Sequence, residues 1–177
     1  MLLAVDIGNS NIVTGVWDGT EWITFPRIDT HPVLKKEEYL KQIKTLLSHS
    51  SVNAAHIGAV IVSSVVPPVT GPMKQALTAA FDVEPIILSS KTDTGIRLVA
   101  DHPERVGTDL IADAAGAYAL INDTCIVVDF GTATTVMAVE KPGVLGGVAI
   151  CAGLKVSVEA LVGKTAQLQN IPLEIPA

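Results

Sequence analysis

Three short segments of this chain combine carboxylates, hydroxyls and glycine in a way that suits phosphate chemistry. The first reads Leu3-Ala4-Val5-Asp6-Ile7-Gly8-Asn9-Ser10-Asn11, and the second Val127-Val128-Asp129-Phe130-Gly131-Thr132-Ala133-Thr134-Thr135. Each is an apolar run, an aspartate, one apolar residue, a glycine, then small hydroxyl or amide residues. A buried strand would deliver a carboxylate to its end, and the glycine would let the backbone turn sharply. Small side chains after the turn leave N–H and O–H groups free to face an anion. Two such hairpins, one per half of the chain, would make a clamp for a metal-bound polyphosphate. The third segment is Gly107-Thr108-Asp109, with Asp113 one helical turn further on.

Each segment has two readings. Asp6 is either a carboxylate on Mg²⁺ beside phosphates or a turn aspartate satisfying nearby N–H groups. The second copy of the pattern favours the first. In the second copy, four of the seven residues 129–135 are Asp or Thr. Asp129 suits a cation there, and Thr132 suits a phosphate oxygen. The alternative is a Thr-rich strand chosen for β-propensity. Gly107 is expected inside a helix that starts at Pro103, where glycine costs about 1 kcal/mol relative to alanine. A close approach by a ligand or another backbone would account for it. Asp109 and Asp113 share a face and repel unless a cation or a substrate hydroxyl relieves them; otherwise they are two solvated acids.

Other chemistry finds little support. There is neither G-x-x-x-x-G-K-[ST] nor G-x-G-x-x-G, which argues against P-loop and Rossmann sites. His31, His49, His56 and His102 are scattered without partner spacing. Cys125 and Cys151 lie in apolar stretches without metal-ligand spacing and read as buried, reduced thiols of a cytosolic protein. No Ser-His-Asp arrangement is evident.

The elements that must position these residues follow from periodicity. Strands are predicted over 2–7, 12–17 and 21–28, with Asp18-Gly19 as a hairpin turn. A helix is predicted over 34–47, where Leu40, Ile43, Leu46 and Leu47 keep helical spacing. A strand at 57–62, a helix at 71–81, a strand at 85–88 and a short extended piece at 96–99 come next. Pro103 opens a helix running through Ala119. Residues 124–129 and 134–139 form the second hairpin, Lys141-Pro142-Gly143 a turn, Gly146-Gly147 follow a short strand, and 154–162 is helical. The hairpin restarts the opening pattern, so an internal duplication is expected. It divides the chain into domains 1–122 and 123–177, the second an incomplete copy. The proline-punctuated stretch 171–176 reads as an extended connection.

Composition bounds the function. The 177 residues are 49% hydrophobic, only 4% aromatic and 17% charged, an aliphatic composition suited to a sheet covered by helices. A net charge of −6 without a basic cluster argues against nucleic acid. Mean hydropathy is +0.46, yet no run approaches the roughly 18 apolar residues of a membrane span. Asp6 interrupts the first apolar run, which argues against a signal peptide.

Asp6-Ile7-Gly8-Asn9-Ser10-Asn11, Ser63-Ser64-Val65-Val66-Pro67, Gly107-Thr108-Asp109 and Asp129-Phe130-Gly131-Thr132-Ala133-Thr134-Thr135 resemble, in that order, the motifs of type III pantothenate kinases. Gly146-Gly147 and the 154–168 segment fit the same pattern. The resemblance implies an α/β fold of the actin-like ATPase superfamily: two ribonuclease-H-like halves, each a mixed sheet flanked by helices, with ATP between them. It implies cytoplasmic homodimers that phosphorylate pantothenate to 4′-phosphopantothenate, the first step of coenzyme A synthesis. They use ATP with Mg²⁺ and a monovalent cation, K⁺ or NH₄⁺. By position, Asp6, Ile7, Gly8, Asn9, Ser10, Asn11, Ile12 and Val13 would meet the ATP phosphates and Mg²⁺, and Thr132 would contact ATP. Asp129 would bind the monovalent cation. Asp109 would be the general base, with Gly107, Thr108, Leu110 and Ala100 beside it on the substrate side.

The chain departs from the family pattern on the acceptor side. Leu110 stands where the family has arginine, Ala100 where it often has tyrosine, and residues 146–153 read GGVAICAG, longer by one and without the usual proline. The glycines expected to bind adenosine in the rest of the second domain are not in the sequence. Two other readings therefore remain: a relative that binds nucleotide or regulates without turnover, and an actin-like kinase for another small alcohol.

Overall fold

The computed structural model describes residues 1–165 together with 169, 173 and 174. The end of the 154–168 segment and most of the 171–176 stretch lie outside these. By contacts, the chain forms two compact units: Met1–Asp93 with Glu104–Ala112, and Thr94–Pro103 with the chain from Asp113 onward.

In the first unit, β1 (Leu2–Ile7) and β2 (Asn11–Trp17) form an antiparallel hairpin. Their alternation sends Leu3, Val5, Ile7, Ile12 and Val16 to the core and leaves Asp6 exposed on the other face. At the following turn, Asp18 accepts hydrogen bonds from the N–H and hydroxyl of Thr20 and the N–H of Glu21. The Glu21 N–H first, then the Thr20 groups, hold its carboxyl below the ordinary value. The strand expected over 21–28 is two short strands, β3 (Trp22–Thr24) and β4 (Ile28–Asp29), each paired with β2. Pro26 lies between them and has no N–H for a ladder.

Helix α1 (Lys36–Ser48) follows. The Glu38 carboxylate accepts the Lys35 N–H at 3.0 Å, satisfying a donor at the helix start. Strand β5 (Ala59–Ser64) pairs in parallel with β1, then comes α2 (Pro67–Phe81), and β6 (Ile86–Ile87) adds in parallel to β5. The helix expected to begin near residue 71 begins at Pro67. Its two leading prolines occupy first-turn positions whose N–H groups a helix does not use. Tyr39, Ile43 and Leu47 of α1 and Val69, Met73, Ala76 and Leu77 of α2 cover the buried sheet face. Each fully buried aliphatic side chain is worth about 1.5–3 kcal/mol.

The rest of the chain carries β7 (Arg97–Leu98), α3 (Thr108–Ile121), β8 (Cys125–Phe130), β9 (Ala133–Glu140), β10 (Val144–Ala152) and α4 (Leu154–Lys164). Among the described residues, the second sheet runs β7-β10-β9-β8. Strand β10 is longer than expected. It passes through Gly146 and Gly147 with an irregularity between Leu145 and Gly147, so these glycines lie inside the strand and do not follow it. Met137, Val139, Val144 and Leu145 are buried, whereas Ile126, Val128 and Phe130 are exposed. Cys125 is half-buried and Cys151 exposed, contrary to the expectation of two buried thiols. Cys151 pairs with Thr134, which pairs with Phe130, so it belongs to this uncovered face.

Among the described residues, two buried polar atoms of the first unit have no hydrogen-bond partner, Gln42 Oε1 on α1 and Thr14 Oγ1 on β2. The Thr14 hydroxyl on β2 makes no hydrogen bond and borders a cavity of about 20 Å³ lined by Leu3, Val5, Phe25, Met73 and Leu77 among others. A water needs two to four polar partners, and this lining is otherwise apolar. Thr14→Val is expected to raise the unfolding free energy by about 1 kcal/mol, because an unsatisfied hydroxyl is removed at constant shape. Urea denaturation monitored by circular dichroism checks this; a destabilised variant would contradict it.

Candidate functional site

The first aspartate turn is closed by its own backbone. The Gly8 N–H bonds the Asn11 carbonyl at 3.0 Å. A side chain at Gly8 would approach that carbonyl to 3.2 Å, so glycine keeps the turn tight. Asp6 stands at the C-terminal end of β1, exposed. Ile7 and Ile12 are buried in the core, and only their backbone groups can meet a ligand. Asn9, Ser10 and Asn11 present amide, hydroxyl and backbone groups at the surface, and Val13 shares the Asp6 face.

Thr30, which no motif marks, anchors this turn. It is fully buried, its hydroxyl donates to the Gly8 carbonyl at 2.7 Å, and its N–H donates to the Ser10 carbonyl at 3.1 Å. Asn11 adds a bond to Asp29 at 3.2 Å. With these carbonyls engaged from behind, the turn is held on its protein side. A threonine between Asp29 and His31 carries no sequence signal; only the fold brings it under Gly8.

The Gly107-Thr108-Asp109 segment differs from expectation. A short 3₁₀ turn, Pro103–Arg105, ends before Gly107, and α3 begins at Thr108. Gly107 is therefore outside the helix, not within it. Its glycine identity has a spatial cause: a Cβ there would collide with the Asp109 carboxylate. That carboxylate folds back over Gly107, and Oδ1 accepts the Leu110 N–H at 2.8 Å. Among the described residues, Oδ2 carries no hydrogen bond. Asp109 is half-buried, while Leu110 is buried at 9% exposure.

A hydroxyl network ties this segment to β5. Thr108 Oγ1 accepts the Ser64 N–H at 2.9 Å, donates to the Ser64 carbonyl at 3.1 Å and lies 3.1 Å from Ser63 Oγ. Ser63 is the register partner of Asp6. Thus Asp6 and the segment carrying Asp109 are joined within one compact unit through Ser63 and Thr108. Ser63 and Ser64 were visible only as part of a family motif; their bonding to residue 108 was not.

In the second unit, the Gly131 N–H bonds the Ala133 carbonyl at 2.9 Å, and Phe130 pairs with Thr134. Its turn therefore holds residues 131–133, one residue shorter than residues 8–11 of the first copy. The shorter turn places Asp129 opposite Thr135, whose hydroxyl is buried without a hydrogen-bond partner. Asp129 and Thr132 are exposed. Gly153 packs on this turn. Its N–H bonds the Thr132 carbonyl at 3.0 Å, and a Cβ would collide with the carbonyls of Gly131 and Thr132. The start of α4 is thereby fixed against the second turn. Ala100, just beyond β7, is exposed.

Three comparisons place these features. Residues 2–177 match the model of the type III pantothenate kinase family. A type III pantothenate kinase of an Exiguobacterium species is 38% identical over 176 residues, which are 99% of this chain and 69% of that protein. Among solved structures, a Ppx/GppA phosphatase of Aquifex aeolicus is 9% identical, with a TM-score of 0.50 over 90% of this chain and 54% of its own. An ethanolamine utilization protein EutJ of Carboxydothermus hydrogenoformans is 16% identical with a TM-score of 0.47, over 91% of this chain and 55% of its own. The chain thus spans about half the length of these two structures. The fold is α/β, with sheets and helices, and is similar to that of the Aquifex phosphatase. With its two aspartate turns and a third carboxylate at the head of α3, the chain belongs to the type III pantothenate kinase family, whose members phosphorylate pantothenate with ATP in coenzyme A synthesis.

Proposed function

We propose that this chain transfers the γ-phosphoryl group of ATP to the primary hydroxyl of pantothenate, with Asp109 as general base. One observation carries the assignment of the base. Its carboxylate is fixed by a single oxygen on the Leu110 N–H, over a glycine that leaves it room. Oδ2 is left to take the proton of an attacking hydroxyl. The phosphates are assigned to the backbone N–H groups of Asn9, Ser10 and Asn11 and the Ser10 hydroxyl, in the turn that Gly8 closes, and Thr132 of the second turn is assigned a further contact to ATP.

The donor set fits the ions. Mg²⁺ prefers oxygen ligands and usually keeps waters and substrate phosphates around one or two carboxylates. Asp6 supplies one exposed carboxylate, and no cluster of three or more His, Cys, Asp or Glu side chains suited to a metal occurs among the described residues. Bound there with ATP, Mg²⁺ would neutralise phosphate charge. The Asp129 carboxylate, paired with the unsatisfied Thr135 hydroxyl, suits a monovalent cation, K⁺ or NH₄⁺. Phosphoryl transfer needs mainly positioning and charge neutralisation, and the protein's share of both falls to these residues. The division into domains 1–122 and 123–177 is proposed from the restart of the hairpin at β8. A cytoplasmic homodimer is proposed as well, the exposed Ile126, Val128 and Phe130 offering apolar surface to a second copy.

A second reading, another small alcohol as acceptor, is favoured by Leu110. This residue is apolar and buried, and gives a substrate carboxylate no partner.

Purified protein with ATP, Mg²⁺ and K⁺ is expected to phosphorylate pantothenate. Asp109→Asn should lower kcat by about 10²–10⁴-fold and leave nucleotide affinity by calorimetry unchanged; full turnover in that variant would remove Asp109 from the role. Gly107→Ala is expected to lower kcat by displacing the carboxylate, with little change in ATP binding. If pantothenate is inert but another alcohol in an acceptor panel is turned over, the second reading holds. Restored pantothenate turnover in Leu110→Arg would then identify residue 110 as the cause. Sedimentation velocity should give a dimer that Ile126→Glu weakens; a monomer at all concentrations would contradict the homodimer.

A further inference from the structure

We propose that Thr108 is a positioning residue, whose hydroxyl fastens the first turn of α3, and with it the Asp109 carboxylate, to the end of β5 beside Asp6. The inference rests on Asp109 being the base.

The hydrogen-bond inventory of this hydroxyl is full. A threonine hydroxyl has one donor and two acceptor positions. Its proton goes to the Ser64 carbonyl at 3.1 Å, and one lone pair takes the Ser64 N–H at 2.9 Å. Because the proton is committed, the 3.1 Å contact with Ser63 runs from the Ser63 hydroxyl to Thr108. A second network starts from the Ser64 side chain. The Thr70 hydroxyl donates to the Val66 carbonyl at 3.1 Å, so the 2.7 Å contact with Ser64 Oγ runs from Ser64 to Thr70. Ser64 Oγ in turn accepts the Val66 N–H at 3.2 Å. The end of β5 thus carries two hydroxyl networks, one reaching the start of α3 through Thr108 and one reaching the start of α2 through Thr70, which meet at the Ser64 residue, Thr108 on its backbone and Thr70 on its side chain.

Two consequences follow. Thr108 has no bonding capacity left for a substrate, so its side chain acts through its neighbours. And Ser63 is the in-register partner of Asp6 on β1, so the hydroxyl transmits the position of the phosphate-side strand to the residue adjoining Asp109. Without it, α3 would keep its helix but lose the bond that sets where its first turn sits.

The test uses Thr108→Val, which keeps the shape without the hydroxyl, Thr108→Ser, which keeps the hydroxyl, and Asp109→Asn, all in the full chain. In Thr108→Val, kcat for ATP and pantothenate is expected to fall about tenfold or more, a loss of roughly one hydrogen bond's worth of positioning. KM for ATP should stay within about twofold, and Thr108→Ser should recover most of the rate. Amide hydrogen exchange supplies an arm that needs no turnover. Ser64 and Leu110, whose N–H groups bond Thr108 and Asp109, should exchange faster in Thr108→Val and normally in Thr108→Ser, with β1 unchanged. Unaltered exchange at both amides would overturn the proposal. So would a kcat that falls only in proportion to the folded fraction from thermal melts, since that marks a structural peg alone. Full turnover by Asp109→Asn would instead overturn the base assignment, and with it the role of Thr108, even where the exchange result holds.

Discussion

The parallel, in-register pairing of β1 with β5 is the constraint on which the first unit's site depends. It sets Asp6 beside Ser63 and Ile7 beside Ser64. The same β1 residues pair with β2, which closes the turn at Gly8. Burial enforces the register. Leu3, Val5 and Ile7 of β1 and Val60 and Val62 of β5 face the helices α1 and α2. Side chains alternate with a period of two, so a slip of one residue would drive Asp6 into that apolar layer and bring Leu3 and Val5 out. The cost of burying an unpaired carboxylate far exceeds any gain from the alternative pairing. An aliphatic pattern with no chemistry of its own thus decides where the carboxylate stands.

The two aspartate turns share composition but not geometry. The first holds residues 8–11 and is braced from beneath by Thr30; the second holds 131–133 and is braced by Gly153. One residue of loop length changes what lies opposite the aspartate, Val13 in the first and Thr135 in the second. The first aspartate is flanked by Val13 on β2 and Ser63 on β5, and its turn is longer by one residue. The second faces Thr135, whose hydroxyl makes no hydrogen bond among the described residues. The repeat thus sets two carboxylates near strand ends in different surroundings.

Where the fold follows from local periodicity, the sequence was readable. Strands β1, β2, β8 and β9 and helices α1 and α4 lie close to where alternation or helical spacing puts them. Misreadings cluster where spacing alone does not show what a residue packs against or where a helix begins. Gly107 looked like a flaw inside a helix, and only the position of the Asp109 carboxylate explains it. The helix expected over 71–81 begins at Pro67. Cys151 sits in an apolar run that suggests burial, but its sheet face is uncovered among the described residues. Thr30 and the Ser63–Ser64–Thr108 contacts span 22 and 44–45 residues of sequence, and no pattern of spacing announces them. The acidic residues of the site were legible because their types are chemically unusual at strand ends. Their supports were not, because threonine and serine are ordinary there.

The side chains of residues 107–110 narrow what this segment can do. Gly107 has none, and the space it leaves is taken by Asp109. Thr108 has its one donor and both acceptor positions in use. Leu110 is buried and apolar. Only Asp109 Oδ2 remains to meet a hydroxyl, together with backbone groups. The segment is equipped to place one carboxylate oxygen, and three of its four residues are determined by that placement or by packing. Discrimination between acceptors requires donors or charges that a carboxylate substrate can engage, and these side chains provide none. With Asp109 as the proposed base, acceptor recognition would fall to residues outside 107–110, and a change of acceptor would leave the base unaltered.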